Sequence, residues 1–195
     1  MRGTLYIMSG PSGTGKGTIC DRLKGDDMYL SVSSTTREKR AGETDGVTYN
    51  YTTVGHFEEM IENGEMLEFA KYDGNYYGTP RKHIEERLSA GIDVMLEIEP
   101  QGALQVKKIY PDAVMIFILP PSMAELKRRL KERGRESDER IRERLKNARW
   151  EFSQAPLYNK IVINDNLDEC VEVVRAFFKE TAQKRGFLDK LLNEE

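Results

Sequence analysis

The 195-residue chain has few cysteines, no excess of basic charge and no apolar run long enough to cross a membrane. Its net charge of −3, from 30 basic and 33 acidic side chains, argues against a protein that mainly coats nucleic acid. The longest unbroken apolar run, Ala113–Leu119, falls far below the roughly 20 residues that cross a bilayer, and no signal-like segment precedes the first apolar run. Cys20 and Cys170 form no CxxC pair and no metal-spaced cluster with the histidines. We therefore expect a cytoplasmic protein with no membrane or nucleic-acid partner, and the sequence leaves its oligomeric state open.

The apolar residues, 38% of the chain, are grouped in short runs that predict buried strands. Five runs qualify, the last of them weaker: Thr4–Ser9, Val94–Ile98, Ala113–Leu119, Lys160–Ile163 and Tyr29–Val32. Each is apolar on successive residues, which is typical of parallel strands covered on both faces. Helical patterns lie between them, such as the stripe that includes Ile141 and Ala148. The pattern predicts one α/β domain built on a five-stranded parallel sheet flanked by helices.

Two stretches interrupt this alternation and are interpreted as insertions on the core. Residues 33–80 have a hairpin-like texture around one short predicted helix, His56–Asn63, and Thr79-Pro80 predicts the cap and first turn of the next helix. Residues 125–149 carry eleven basic and six acidic side chains. Such a charge run is either a cationic lid over phosphates or a solvated helix face crossed by i,i+4 ion pairs.

A glycine-rich loop follows the first predicted strand and precedes a helix. Gly10, Gly15 and Lys16 match the pattern G-x-x-x-x-G-K, in which glycines bring backbone N–H groups close to phosphates and the lysine reaches the β- and γ-phosphates. The alternative is a glycine-rich turn without a ligand. Where most such loops have a Ser or Thr for Mg²⁺ this chain has Gly17, so we expect Mg²⁺ to be held by phosphates and water with help from Thr18 or Glu97. A strand-end salt bridge is the alternative role for Glu97.

The segment after the second predicted strand carries side chains suited to a second phosphate and a base. Arg37 and Arg40 lie three residues apart with Tyr49 beyond them, and arginine forks suit bidentate phosphate binding. The Glu68 carboxylate is able to accept hydrogen bonds from both N1–H and N2–H₂ of guanine. Adenine does not present these two donors side by side. Taken alone, Glu68 fits a surface carboxylate better than a base-binding group, and only its place between the arginine pair and Tyr77 reverses that preference. Tyr76 and Tyr77 are equally consistent with packing residues of a small sheet.

Taken together, these motifs closely resemble the guanylate kinase family from the phosphate loop to Ile163-Asn164-Asp165, nearly the whole chain. The resemblance implies a P-loop NTPase fold with a core of residues 1–32, 81–122 and 150–195, a GMP-binding insertion at 33–80 and a helical lid at 123–149. The residues that it implies for binding ATP are Gly10, Pro11, Ser12, Gly13, Thr14, Gly15, Lys16, Gly17, Thr18, Arg129, Arg133 and Asn164. The residues that it implies for binding GMP are Ser33, Arg37, Arg40, Tyr49, Glu68, Tyr77, Thr79, Glu97 and Glu99. The catalytic group would be Lys16, Arg37, Arg133 and Arg144, and the metal would lie near Thr18 and Glu97. The chain departs from the usual pattern at Glu99-Pro100, where Asp and a bulky residue are common, and at Thr79, where Ser is frequent.

The expected activity is transfer of the γ-phosphoryl group of ATP to GMP, and to dGMP, for purine nucleotide metabolism and GMP recycling. Because GMP already offers a phosphate oxygen as nucleophile, we expect no general base. Two other functions stay open. One is a kinase for another nucleoside monophosphate, since Gly-Lys-Gly-Thr also occurs in adenylate-kinase-like loops. The other is a non-catalytic interaction module, as in the guanylate-kinase-like domains of scaffold proteins.

Overall fold

A computed structural model describes residues 2–25, 27–72, 74–132 and 137–192 of the chain. The strands of this part are β1 (Leu5–Ser9), β2 (Met28–Leu30), β3 (Ser34–Thr35), β4 (Asn50–Tyr51), β5 (Met66–Tyr72), β6 (Asn75–Pro80), β7 (Asp93–Glu97), β8 (Val114–Leu119) and β9 (Lys160–Ile163). The helices are α1 (Lys16–Leu23), α2 (Val54–Glu62), α3 (Arg81–Ser89), α4 (Pro100–Ile109), α5 (Met123–Glu132), α6 (Asp138–Ser153) and α7 (Leu167–Leu192), with a 3₁₀ turn at Ala155–Leu157. Within these ranges, no helix combines the length and apolar character of a membrane span.

The larger sheet has the order β2-β7-β1-β8-β9, and all of its strands run parallel. Leu5 and Ile7 of the central strand face one apolar cluster with α3 and α4, whereas Tyr6 and Met8 face a second with α1 and α7. Burial on both faces explains why each strand is apolar on successive residues. All five predicted strands are confirmed to within two residues at either end, as is the predicted α/β class. The carboxyl ends of β1, β7, β8 and β9 lie along one edge, where ligands of such sheets bind.

The segment from Ser33 to Pro80 forms a second, four-stranded sheet of order β4-β3-β6-β5. Strands β5 and β6 make an antiparallel hairpin whose turn contains Gly74 at φ 79°. The predicted helix of this segment is confirmed, but it begins at Val54 because the Thr53 hydroxyl accepts a hydrogen bond from His56 N at 3.2 Å. Its buried Phe57 stacks on Tyr76 at 5.2 Å between ring centroids.

The charged segment forms two packed helices, α5 and α6. The buried centre of their contact is apolar and is made by Leu126, Leu130, Ile141 and Ala148, with an ion pair between Lys131 and Asp138 at one end. The sequence Ser122-Met-Ala-Glu125 predicts a capping box at the start of α5, and its serine half is confirmed, because Ser122 Oγ accepts from Glu125 N at 3.1 Å. The Glu125 carboxylate binds Arg128 and Arg129 instead of completing a capping box.

The predicted cap at Thr79 is wrong. Helix α3 begins at Arg81 with Pro80 before it and no side-chain cap. Thr79 lies in β6 directly opposite Glu68 of β5, and its hydroxyl donates to Glu68 Oε1 at 2.6 Å. The Thr79 hydroxyl therefore bonds to a carboxylate on the neighbouring strand and does not cap the helix.

Candidate active site

The loop between β1 and α1 has the backbone that its glycines permit. Gly10, Gly13 and Gly15 all have positive φ, of 136°, 91° and 92°. At Gly15 the fit is also tight, because an added Cβ would lie 2.4 Å from the side-chain amide nitrogen of Asn164. The loop therefore leads its backbone into the first turn of α1, the arrangement that binds phosphate.

Lys16 is nearly buried, 8% exposed, and its ammonium lies over this loop. It donates to the carbonyl of Gly10 at 2.5 Å and to that of Pro11 at 3.0 Å. The Thr14 hydroxyl donates to the same Pro11 carbonyl at 2.9 Å. These contacts hold one positive charge against the phosphate loop.

Helices α5 and α6 and the end of β9 are connected to the loop by hydrogen bonds. Arg144 Nη1 donates to Ser12 Oγ at 2.6 Å, and Arg129 Nη2 donates to the Asn164 carbonyl at 2.9 Å. Asn164 itself donates from Nδ2 to Thr14 O at 2.8 Å. Two expected lid arginines thus reach the glycine-rich loop and the adjoining end of β9, while Arg133 lies outside the described residues.

The solvated-face interpretation of the charge run holds for Arg128. This exposed side chain pairs with Glu125 and Glu132, three residues before it and four after it on the same helix. Pairs of this kind contribute little to binding or stability. The charge run is therefore divided between a surface face and the side that reaches the loop.

Glu97 ends β7 beside the start of α1. Both of its carboxylate oxygens lie 3.3 Å from the position that a Cβ on Gly17 would occupy. A side chain at position 17 would therefore crowd the carboxylate. Thr18 is exposed on the same first turn, so a hydroxyl and a carboxylate lie close to the phosphate loop.

Arg37 lies just after β3 and is held by an acid that the sequence motifs did not indicate. Its Nη2 and Nη1 donate to Glu43 Oε1 and Oε2 at 2.8 and 3.0 Å. Glu43 also accepts from Tyr51 Oη at 2.7 Å and from Arg40 N at 2.8 Å. The Arg37 hydrogen bonds lower the pKa of Glu43 to about 2. A carboxylate three residues after Arg40 was the available signal, but sequence alone does not show which arginine it faces.

Tyr49 and Tyr77 are placed around Arg37. Their rings meet edge to face with centroids 5.9 Å apart, and the Arg37 guanidinium lies 5.5 Å from the Tyr49 ring centre. Burial, followed by the nearby Glu97 charge, raises the pKa of Tyr49 to about 12, so this phenol remains a donor.

The Arg40 side chain is exposed, and the backbone N–H of Arg40 donates to Glu43. Tyr76 is a packing residue, as the alternative interpretation had it, because it stacks on Phe57 and donates to Glu58 at 3.1 Å.

Glu68 is buried, 6% exposed, which excludes a surface carboxylate. Burial raises its pKa to about 7; the Thr79 hydroxyl opposes that shift, and the Glu99 charge adds to it. Its second oxygen, Oε2, lies against Gly102 in the first turn of α4. A buried carboxylate with one anchored oxygen is a fixed acceptor for N–H donors.

A second acid absent from the sequence prediction is Glu151, near the end of α6. It lines a small cleft with Ser12, Tyr72, Glu99, Arg144 and Asn147. Burial and then Glu99 raise its pKa to about 7, while Lys16 and Arg144 oppose that shift. This cleft is where the phosphate loop, the second sheet and α6 meet.

Comparisons with known proteins identify relatives of this chain. A family model described as guanylate kinase matches residues 2–181. A guanylate kinase of Oceanobacillus iheyensis is 49% identical over 191 residues, which cover 97% of this chain and 93% of the relative. One from Thermus thermophilus is 47% identical over 193 residues, which cover 98% and 88%. The crystal structure of guanylate kinase from Anaplasma phagocytophilum matches with a TM-score of 0.76 at 31% identity, over 92% of this chain and 86% of that one.

Proposed function

The chain belongs to the guanylate kinase family and transfers a phosphoryl group from ATP to GMP, and we propose which of its residues carry out each part of that reaction. Its fold is the P-loop NTPase fold. The observation that carries the assignment is the buried Glu68 carboxylate, anchored by Thr79 across two strands of the second sheet, with Arg37 just beyond the end of β3 in the same sheet. In this proposal residues 33–80 bind GMP, residues 123–149 form the lid, and the remainder is the core.

Glu68 reads the guanine. An ionised Glu68 accepts the adjacent N1–H and N2–H₂ donors, while Thr79 fixes one of its oxygens at 2.6 Å and Ser33 supplies a further hydroxyl. Adenine has no donor at N1 and no amine at C2, so it would leave the buried carboxylate unpaired. Sites of this kind reject the mismatched ligand by up to about 10⁴–10⁵.

Arg37, Arg40, Tyr49 and Tyr77 bind the GMP phosphate. The pair with Glu43 holds Arg37 in one orientation, so little side-chain entropy remains to be lost when phosphate binds. Arg40 has an exposed side chain that is able to swing onto the phosphate. The two tyrosines supply hydroxyl donors. Glu97 and Glu99, at the end of β7, face the acceptor from the core.

The ATP phosphates are bound by the backbone of residues 10–18 and by Lys16. Asn164 and Arg129 support the loop from β9 and α5. Arg144, and with it Arg133, act on the transferred group as the lid closes and excludes water, the competing nucleophile. The chemistry is alignment and charge neutralisation, without a general base.

Mg²⁺ fits the donors beside the loop. It prefers oxygen ligands and commonly binds through one or two carboxylates together with substrate phosphates. Glu97, at the end of β7, and Thr18, in the first turn of α1, supply a carboxylate and a hydroxyl, and in the described ranges no cluster of three or more His, Cys, Asp or Glu forms a protein cage. These two residues would hold the ion, which when bound would draw charge from the β- and γ-phosphates.

We also propose that dGMP is accepted, that the enzyme serves purine nucleotide metabolism and GMP recycling, and that it works in the cytoplasm. The buried free thiols Cys20 and Cys170 are consistent with a reduced compartment.

The deciding experiment is a coupled assay of ADP release with GMP, dGMP, AMP, CMP and UMP as acceptors, with and without Mg²⁺. We expect turnover with GMP and dGMP, little with the other three, and none after chelation of the metal. An equal rate with AMP would contradict the assignment of Glu68. Binding of ATP without ADP release on addition of GMP would instead support the interaction-module alternative.

A further inference from the structure

Helix α4 contains a glycine at its third position, Gly102, where local propensity gives no reason for one. Glycine is the least favourable helix residue after proline. Gly10 and Gly15 have positive φ, and this backbone conformation explains why these positions are glycine. Gly102 has ordinary helical geometry, so the same explanation does not apply to it. The reason for this residue type must therefore lie in its surroundings.

The neighbour that fills this space is the Glu68 carboxylate. A Cβ on Gly102 would lie 2.3 Å from Glu68 Oε2, 3.0 Å from Cδ and 3.4 Å from Cγ. Real Cβ atoms do not approach oxygen at the first of these distances, so any side chain here would displace the carboxylate.

The carboxylate has little room to retreat. Its other oxygen is held by Thr79 at 2.6 Å. The strand that carries it is fixed to the same helix, because the Gln105 side chain accepts from Phe69 N at 3.3 Å and donates to Phe69 O at 3.2 Å. Gln105 lies about one turn beyond Gly102, so helix and strand are joined immediately beside the glutamate.

We propose that Gly102 is a specificity-determining position: the missing side chain gives the Glu68 carboxylate the space from which it faces guanine. Gly102 does not touch the nucleotide in this account, so it is a positioning residue that acts through Glu68. The inference rests on the proposed guanine-reading role of Glu68 and adds the residue that sets its orientation.

Gly102→Ala should impair activity with GMP while leaving the stability of the fold nearly unchanged. The atom in conflict is the end of a side chain, not backbone, and alanine is the best helix former. The helix gain and the weakened hydrogen bond between Glu68 and Thr79 oppose each other, so the variant should stay folded and melt close to the wild-type temperature. Because Glu68 is displaced, kcat/KM for GMP should fall about ten- to a hundredfold, with KM for ATP unchanged within about twofold.

Gly55→Ala is the matched control. Gly55 lies in the first turn of α2, it has no positive φ, and an added Cβ meets nothing within 4 Å. We expect its kcat/KM for GMP to equal that of the wild type. If Gly102→Ala were equally silent, the proposal would be overturned.

A double-mutant cycle with Glu68→Ala identifies the route of the effect. When the carboxylate is absent, Gly102→Ala should cost nothing further in kcat/KM for GMP, measured at low GMP so that saturation is not needed. An equal cost in both backgrounds would show that Gly102 acts on something else and would overturn the proposal. The single Glu68→Ala variant tests the proposed function separately, because an unchanged preference for GMP over AMP in that variant would remove Glu68 from guanine recognition whatever Gly102→Ala does.

Discussion

Arg37 and Glu43 form a two-pronged ion pair within the loop between β3 and β4, with N–O distances of 2.8 and 3.0 Å. Both side chains are largely shielded from solvent, with 12% and 16% exposed. A guanidinium that is proposed to bind phosphate is therefore already oriented by an internal carboxylate.

Replacing Glu43 should weaken GMP binding, although Glu43 never contacts GMP. Glu43→Gln removes the charge and one acceptor, so Arg37 loses its fixed orientation and GMP should bind about tenfold more weakly in a calorimetric titration. ATP binding should not change. Glu38→Gln, at an exposed acid in the same segment, is the control. Tighter GMP binding by Glu43→Gln would mean that the carboxylate competes with phosphate instead of orienting Arg37.

The ion pair between Arg37 and Glu43 should make the free energy of unfolding depend on pH in the acidic range. Because the folded-state pKa of Glu43, about 2, lies below its ordinary value of 4.5, its contribution is fully present above pH 4.5 and is lost as pH falls towards 2. Glu43→Gln should lower the free energy of unfolding by about 2 kcal/mol at neutral pH. Urea titrations along a pH series should show this difference shrinking only below about pH 4.5.

Glu68 should make GMP binding depend on pH near neutrality. Its pKa is raised to about 7, and only the ionised form accepts both guanine donors, so GMP affinity should rise as pH passes upward through 7. The phosphate of GMP also titrates in this region, so the measurement is the difference between wild type and Glu68→Gln in titrations from pH 6 to 8.5. The same pH dependence in both proteins would exclude the carboxylate as its source.

The nucleotide-free enzyme should show the opposite trend in stability. A carboxyl group whose folded pKa exceeds its ordinary value of 4.5 binds protons more tightly in the folded state, so stability falls as pH rises from about 4.5 to about 7. Glu151 titrates in the same range, so the comparison again requires Glu68→Gln. We expect that variant to lose less stability over this interval.

Local sequence rules were sufficient to predict the strands of the core and the position of the phosphate loop. Runs of successive apolar residues fixed the five parallel strands because both faces of the larger sheet are covered. Gly10, Gly15 and Lys16 could be assigned because the loop is built from consecutive residues. For such elements the partner groups lie close by in sequence, and spacing carries the information.

Long-range side-chain partners could not be obtained in this way. Thr79 was assigned to a helix cap because its spacing allows one, yet the strand pairing places Glu68 opposite it. Glu151 lies about 140 residues from the loop residue Ser12 with which it lines a cleft. Gly102 gave no signal, since its importance depends on a carboxylate from another strand. In each case the deciding contact is made only after the chain has folded.

Thr79 offers a pair of substitutions that separate its hydroxyl from its shape. Thr79→Ser keeps the donor to Glu68 Oε1 and should behave as wild type. Thr79→Val keeps the shape but removes the donor, which raises the pKa of Glu68 further and should increase KM for GMP about tenfold at pH 7. The deficit should become smaller at pH 8.5, where the carboxyl is ionised in both variants. Equal KM values for the Ser and Val variants at pH 7 would remove the hydroxyl from guanine recognition.

Lys16 tests the donor side of the reaction. Its ammonium is the cation held against the Gly10 and Pro11 carbonyls of the phosphate loop, and it is the group proposed to draw charge from the β- and γ-phosphates in the transition state. Lys16→Ala should lower kcat about 10³-fold, as loss of an electrostatic contact to developing charge does. GMP affinity should not change, because the residues proposed to bind GMP lie mainly within residues 33–80, and circular dichroism should show an intact fold. Lys24→Ala, at an exposed lysine just beyond the same helix, should turn over normally. A kcat for Lys16→Ala within tenfold of wild type would mean that the loop backbone neutralises the phosphates without this side chain.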